Sequence, residues 1–228
     1  MHPPTVPVRI WDLPTRLFHW ALAALVIASV VTAKIGGNAM VWHFRFGLAI
    51  LALLVFRAAW GLVGGRWSRF ASFAYGPASV WRYVKNRPRA ADRFDVGHSP
   101  LGAWSVFALL AVLAVQVASG LVADDEIANV GPLNRFVTTD TGLVWTWFHK
   151  EVGEKLVIVL AVLHVAAIAF YRVVRRRDLI GPMVRGDQPQ PADTPPSRDG
   201  LASRTLALVL FLAGVALALW VGRLGDVG

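Results

Sequence analysis

The sequence predicts an all-α integral membrane protein with five transmembrane helices, and three observations lead to this fold class. Of its 228 residues, 56% are hydrophobic, and the mean hydropathy of +0.53 is too high for an ordinary soluble domain. Five apolar runs each approach the roughly 20 residues that a helix needs to cross a bilayer. Lysine and arginine, which produce a formal net charge of +9, lie mostly between these runs. The charge therefore indicates membrane orientation rather than nucleic-acid binding.

The sequence contains no cysteine, which limits the cofactors that the protein can hold. This excludes disulfides, haem attached through a C-x-x-C-H motif and iron–sulfur clusters held by thiolates. We therefore expect any metal cofactor to be held mainly by histidine.

The apolar runs are predicted helices 1 to 5 in chain order. Lys34 and a glycine pair end predicted helix 1, and a second glycine pair ends predicted helix 2. Gln116 and Ser119 are polar residues in the interior of predicted helix 3. Asp140 or Thr141 is predicted to cap predicted helix 4, and predicted helix 5 contains no ionisable residue. The predicted ranges are residues 17–33, 41–63, 101–122, 143–171 and 205–221.

A short surface helix is predicted at residues 77–86. This segment begins with proline and has Val80, Trp81 and Val84 on one face, which is typical of a helix lying on the membrane surface. His2 is predicted to lie in a disordered tail.

The segment before predicted helix 5 is rich in proline and polar residues. Residues 186–200 offer little to bury, which indicates a linker. We therefore predict three parts: a four-helix core at residues 1–184, a linker at 185–203, and a fifth transmembrane helix at 204–222 that is tethered to the core.

Basic residues divide the connections into two classes. Arginine and lysine dominate the N-terminus, the connection between predicted helices 2 and 3, and the segment after predicted helix 4. The other two connections are poor in basic residues and contain Asp124, Asp125, Glu126 and Asp140. By the positive-inside rule the N-terminus is cytoplasmic, and five spans place the C-terminus outside.

Four histidines lie at matching depths in this topology. Fifteen residues separate His149 and His164 on predicted helix 4, which places them about 22 Å apart along the axis and about 60° apart around it. His19 begins predicted helix 1 at the inner face, and His43 begins predicted helix 2 at the outer face. Chain direction therefore pairs His19 with His164 near the inner face and His43 with His149 near the outer face.

Each pair suits a haem iron with two axial imidazole ligands from facing helices. Ionisable side chains inside a membrane are costly, so a function is expected, and imidazole is the commonest metal-ligating side chain. A bis-histidine haem has no open position, which favours electron transfer over oxygen chemistry. An interhelical hydrogen bond is the alternative for any single histidine. The four together favour two haem b groups.

Basic side chains near the histidines are candidate partners for haem propionates, which arginine binds bidentately. We assign Arg16 and Arg57 to the inner haem, and Arg45 and Lys150 to the outer haem. The alternative is that these side chains extend to lipid headgroups.

A quinone beside the inner haem would need groups that exchange protons. His98 and Asp12 are the candidates, together with Arg16; His98 is also compatible with a helix cap or a headgroup contact. Gly153, four residues after His149, is small enough to let a porphyrin approach.

Five segments occur in a characteristic order: WDLPTRLFHW, IGGNAMVWHFRFG, GHSPLGAWS, VLHVAAIAFYR and RRRDLIGPM. Over residues 8–184 the chain resembles the bacterial cytochrome b561 family, in the branch of the b-type cytochrome subunits of membrane-bound nickel-iron hydrogenases. The resemblance implies a di-haem b cytochrome of the bacterial inner membrane that exchanges electrons between a quinone and a periplasmic redox partner. It also implies that the axial ligands are His19, His43, His149 and His164. Family members often have asparagine at the position of Ser99.

Three functions remain open. The first is an electron-transfer subunit that links a periplasmic hydrogenase or c-type cytochrome to the quinone pool. The second is a stand-alone superoxide:quinone oxidoreductase, because Lys34, Arg45, Lys150 and Lys155 would attract a small anion. The third is a non-redox proton or metal channel, although the spans offer few polar residues. We rank them in this order and expect the bilayer, a quinone and a redox protein as partners, without nucleic acid. The sequence leaves a homodimer open.

Overall fold

The computed structural model describes residues 5–89 and 92–225. His2 lies outside these residues. Within them, the chain forms two short strands and a series of helices. The strands are β1 (Thr5–Arg9) and β2 (Asp187–Pro191), and the helices are α1 (Leu13–Ile35), α2 (Met40–Val63), α3 (Pro77–Val84), α4 (Pro100–Val122), α5 (Thr139–Trp147), α6 (Glu154–Val173), α7 (Ile180–Arg185) and α8 (Leu201–Arg223).

The predicted all-α membrane class is confirmed. Among the described residues, five helical segments are long and apolar enough to cross a membrane: Leu13–Ile35, Gly37–Val63, Pro100–Val122, Thr139–Val173 and Leu201–Arg223. Helix α1 begins at Leu13 rather than at residue 17, because Asp12 accepts a hydrogen bond from the Thr15 backbone N–H at 2.8 Å and so caps the first turn. The hydrophobic pattern thus located each span but missed helical turns that polar caps add at the ends.

The fourth span differs from its prediction in two ways. Its N-cap is Thr138, whose hydroxyl accepts the Thr141 backbone N–H, so Asp140 and Thr141 lie inside the first turn and the predicted cap was wrong. A π-helical segment, Phe148–Gly153, separates α5 from α6. Because a π turn holds more residues than an α turn, the regular α geometry used for the predicted 60° angle does not apply across this segment.

The described residues form two compact units, and the long helices contribute a part to each. Unit 1 contains residues 5–17, 57–89, 92–108 and 163–208; unit 2 contains residues 18–56, 109–162 and 209–225.

In unit 1, the segment predicted as a linker with little to bury is instead ordered and partly buried. Strand β2 pairs antiparallel with β1, and Pro189 lies opposite Pro7, a position where neither residue has an N–H to donate. Further along, the Ser197 hydroxyl donates to the Ile10 carbonyl at 2.7 Å, and the Trp67 indole donates to the Pro195 carbonyl at 2.9 Å. Backbone pairing and side-chain hydrogen bonds therefore hold residues 186–200 in place, although their composition indicated a linker.

The short surface helix is present as α3. Pro77 occupies the first turn as predicted, and Trp81 and Val84 are exposed. The helix ends at Val84, two residues earlier than predicted, and Asn86 adopts a positive φ of 53°. Its position on a membrane surface stays a prediction.

In unit 2, the later part of α8 packs closely against α2. A side chain at Gly214 would meet the Ala52 carbonyl oxygen at 2.7 Å, and one at Gly222 would meet Leu48 at 2.9 Å. At Gly214 the contact is with the backbone of α2, so glycine there allows the two helices to approach; at Gly222 it is with the end of the Leu48 side chain.

Candidate haem site

His43 lies in the first turns of α2, and its ring is fixed by a residue of α1. The Nδ1 atom lies 3.0 Å from the Ser29 carbonyl oxygen and 3.1 Å from the Ser29 hydroxyl. A carbonyl oxygen only accepts hydrogen bonds, so Nδ1 carries the hydrogen and Nε2 is the nitrogen with the free lone pair.

His149 lies in the π-helical segment, and its ring is fixed in the same way by α4. Its Nδ1 atom lies 2.9 Å from the Gln116 carbonyl oxygen and 3.0 Å from the Ser119 hydroxyl. The Ser119 hydroxyl also donates to the Gln116 carbonyl at 2.8 Å. His149 therefore has the same tautomer as His43, with Nε2 left as the ligating nitrogen.

The two rings lie next to each other within unit 2. Their centres are 6.0 Å apart, and their planes are nearly perpendicular at 88°. Two imidazoles that bind one metal ion from opposite sides have ring centres about 6 Å apart, because each metal–nitrogen bond is about 2.0 Å. A metal-ligating histidine also usually donates its other N–H to a carbonyl or carboxylate. The His43–His149 pair therefore fits the axial ligand set of a haem iron.

Gly120 gives the His149 ring its space. A Cβ atom at this position would lie 2.8 Å from the His149 Cε1 atom and 3.2 Å from Nδ1. The ring therefore rests directly against the backbone of α4, where only glycine fits.

A Gly120→Ala variant is expected to displace the His149 ring and to weaken haem binding at this pair. Loss of the support around a ligating histidine commonly lowers metal affinity about 10-fold or more. Haem titration of the apo-protein measures the affinity, and Gly76→Ala is the control, because a Cβ at Gly76 meets nothing within 4 Å. Equal affinities in the two variants would contradict the close packing of the ring.

The other predicted ligands lie in different units. His19, on α1, belongs to unit 2, and its ring centre lies 5.0 Å from that of Trp20. His164, on α6, belongs to unit 1. The pairing of these two histidines stays a prediction.

The candidate propionate partners have varied surroundings. Arg57 is 3% exposed, and its guanidinium lies 4.5 Å above the Phe70 ring. Arg16 donates to the Val184 carbonyl at 2.5 Å. Their assignment to propionates stays a prediction.

The two cations predicted for the outer haem are exposed. Lys150 projects from the π-helical segment, and the Arg45 guanidinium lies 4.8 Å from the Trp42 ring centre. Arg45 also borders a cavity of about 380 Å³ whose other lining residues are apolar, among them Leu48 and Phe211. Their assignment to propionates likewise stays a prediction.

Asp12, one of the two quinone-proximal candidates, is a fully buried structural residue in unit 1. Besides capping α1, its carboxylate accepts the Trp60 indole N–H at 3.2 Å and the Ser68 hydroxyl at 2.6 Å. Both carboxylate oxygens therefore accept hydrogen bonds from residues of unit 1.

The other quinone-proximal candidate, His98, packs among aromatic rings of unit 1. Its ring centre lies 4.7 Å from that of Trp11 and 4.3 Å from that of Phe73. A quinone near either candidate stays a prediction.

The residues that hold the His43 and His149 rings were not predicted from the sequence. Ser29, Gln116, Ser119 and Gly120 were not assigned to the site, and the π turn was not predicted. One signal was present: Gln116 and Ser119 are polar residues three positions apart within an apolar span, which places them on one helix face.

Apolar helices long enough to cross a membrane and two adjacent imidazoles, each held through Nδ1 by a backbone carbonyl, are features expected of a membrane b-type cytochrome, a class of protein that carries haem b and transfers electrons. The chain belongs to one family of this class, the prokaryotic cytochrome b561 family, whose sequence profile matches residues 10–186. The resemblance seen in the sequence segments is thereby confirmed.

Three relatives have the same description, "Probable Ni/Fe-hydrogenase B-type cytochrome subunit". The protein from Azotobacter chroococcum mcd 1 is 26% identical over 216 residues, covering 78% of this chain and 87% of the relative. The Cupriavidus necator protein is 23% identical, covering 78% and 85%, and the Bradyrhizobium diazoefficiens protein is 21% identical, covering 79% and 85%. No solved structure matches the chain.

Proposed function

We propose that the protein is a di-haem b cytochrome that carries electrons across the membrane between a periplasmic redox partner and the quinone pool. The observation that carries this proposal is the His43–His149 pair, with ring centres 6.0 Å apart and both Nδ1 atoms committed to carbonyl oxygens. A second haem on His19 and His164 completes the path and rests on the depth argument from the sequence.

The residues of the site bind and orient; they offer no group for substrate chemistry at the iron. A haem with two imidazole ligands supplies one-electron transfer, since neither axial position is open to oxygen. Ser29 and Gln116 hold the imidazoles in one tautomer, so both Nε2 atoms are ready to bind without a change of protonation. A preorganised site of this kind suits repeated electron transfer.

Charge supports the proposed orientation, and the relatives support the proposed partner. The connections contained in unit 1, residues 64–89, 92–99 and 174–200, include most of the arginines, which supports a cytoplasmic N-terminus and a periplasmic C-terminus. The relatives are hydrogenase cytochrome subunits by name, which supports a periplasmic hydrogenase as the electron donor. A c-type cytochrome is the alternative donor, and a quinone near His98 is the proposed acceptor.

The ion pairs of unit 2 bear on the stand-alone superoxide reaction. Lys34 pairs with Glu154 at 2.5 Å, and Lys155 pairs with Glu151 at 2.8 Å. Two of the four cations expected to attract a small anion are therefore partly neutralised, which weakens electrostatic steering. This supports transfer from a docked protein over capture of superoxide.

The test is a haem count and an electron-transfer assay on the purified protein. Reduced-minus-oxidised spectra with pyridine haemochrome are expected to give two b haems per polypeptide. In proteoliposomes, an external reductant that cannot cross the bilayer is expected to reduce a quinone analogue only when the haem protein is present. Protein made with ample haem that binds none would overturn the proposal. Quinone reduction by superoxide without a partner, slowed by Lys150→Glu, would favour the stand-alone enzyme.

A further inference from the structure

Gln116 contacts His149 through both its backbone and its side chain. Its carbonyl oxygen accepts the His149 Nδ1–H at 2.9 Å, and its side-chain Nε2 donates to the His149 carbonyl oxygen at 3.0 Å. One residue of α4 therefore holds both the ring and the backbone of the ligand.

The side-chain bond coincides with the break in helical geometry. The His149 carbonyl also accepts the Glu154 backbone N–H, five residues on, which is the hydrogen bond of a π turn. In a regular α-helix the donor would be Gly153. A side chain that inserts into the backbone hydrogen bonds of a helix is a known cause of such a distortion. The Gln116 amide contacts the backbone at His149, the proposed haem ligand.

Gly153 completes the arrangement. A Cβ atom at this position would overlap the Gln116 side-chain oxygen and would lie 2.9 Å from Gln116 Cδ. The Gln116 amide therefore occupies the space beside Gly153, the small residue that the sequence predicted would let a porphyrin approach.

We infer that Gln116 is a positioning residue: its side chain maintains the π turn at Phe148–Gly153 and thereby sets the plane of the His149 imidazole relative to that of His43. The inference rests on the proposed haem at this pair and deepens it. The two contacts act on the ring and on the backbone of His149. The ring cannot rotate without breaking the Nδ1 bond, and the amide takes one of the two acceptor sites of the His149 carbonyl beside the π turn. The angle between the two ring planes, 88° here, thus depends on α1, which holds His43 through Ser29, and on α4, which holds His149 through Gln116.

The test exploits the dependence of the electron paramagnetic resonance (EPR) signal of a ferric bis-imidazole haem on the angle between the ligand planes. Gln116→Met keeps the length of the side chain and removes the donor. It is expected to retain both haems, shift the g-values and midpoint potential of the haem held by His149, and leave the other haem unchanged. Val115→Met, one position earlier on α4 where the side chain is 42% exposed, is the matched control and is expected to leave both signals unchanged.

A second variant approaches the same contact from the other helix. Gly153→Ala pushes the Gln116 amide away and is expected to shift the same EPR signal, so it decides the question if Gln116→Met does not accumulate as folded protein. Unchanged signals in either variant, with both haems bound, would overturn the inference. His149→Ala identifies which signal belongs to this pair; if that variant keeps both signals, the proposed ligand assignment fails instead.

Discussion

A His149→Ala variant is expected to bind about one haem per polypeptide instead of two, because it removes one axial ligand and leaves His43 without a partner across the iron. A single imidazole gives a haem iron an open sixth position, which changes both affinity and spin state. The pyridine haemochrome assay measures the loss, and the visible spectrum reports whether the remaining haem keeps its low-spin form. His43→Ala is expected to give the same result, since the two ring centres lie 6.0 Å apart around one site.

The controls for this prediction separate ligand loss from damage to the fold. Val144→Ala, on the same span at a side chain that is 63% exposed, is expected to keep both haems. His164→Ala is expected to lose the other haem and to keep the spectrum of the His43–His149 haem. Retention of both haems in His149→Ala would contradict the site, and loss of the same haem in both His149→Ala and His164→Ala would contradict the predicted pairing.

Asp12→Ala is expected to lower the free energy of unfolding by about 2–4 kcal/mol. The carboxylate caps α1, which is worth about 1 kcal/mol, and each buried donor left without an acceptor costs about 1–3 kcal/mol. The donors are the Trp60 indole and the Ser68 hydroxyl. Thr15 Oγ1 lies 3.2 Å from the indole nitrogen and 2.7 Å from the Ser68 hydroxyl, so it recovers part of the loss.

Denaturant titration of the purified protein, followed by tryptophan fluorescence, measures this effect. Asp193→Ala is the matched control, because Asp193 is an exposed carboxylate in a surface ion pair with Arg93, and such pairs contribute little. Asp12→Asn keeps one acceptor oxygen and is expected to lose less than Asp12→Ala. An Asp12→Ala protein as stable as the wild type would contradict the structural role of Asp12.

The sequence was sufficient for the membrane class and for placing His43 and His149 at the same depth. Bilayer thickness sets the length of a span, so the apolar run at residues 101–122 predicted α4 within one residue. Chain direction then fixed which end of each span holds a histidine. His43 and His149 were matched by depth alone, and the structure brings their rings together.

Other features depended on partners that are distant in the sequence. The segment at residues 186–200 has the composition of a linker, yet Ser197 and Pro195 form hydrogen bonds with Ile10 and Trp67. The predicted cap of the fourth span failed because several consecutive residues, from Thr138 to Thr141, are able to cap, and composition does not choose among them.

Hydropathy and side-chain identity are local properties, so the sequence by itself determined the number of spans, their approximate limits and the histidines available as ligands. The tertiary structure decided how His43 and His149 are held: the Ser29 and Gln116 carbonyls that accept from Nδ1, the Gly120 backbone under the His149 ring and the π turn beside Gln116. The physical reason is that a hydrogen bond or a close packing contact depends on the distance between atoms. Gln116 and His149 are 33 positions apart in the chain and meet only when α4 lies beside the fourth span.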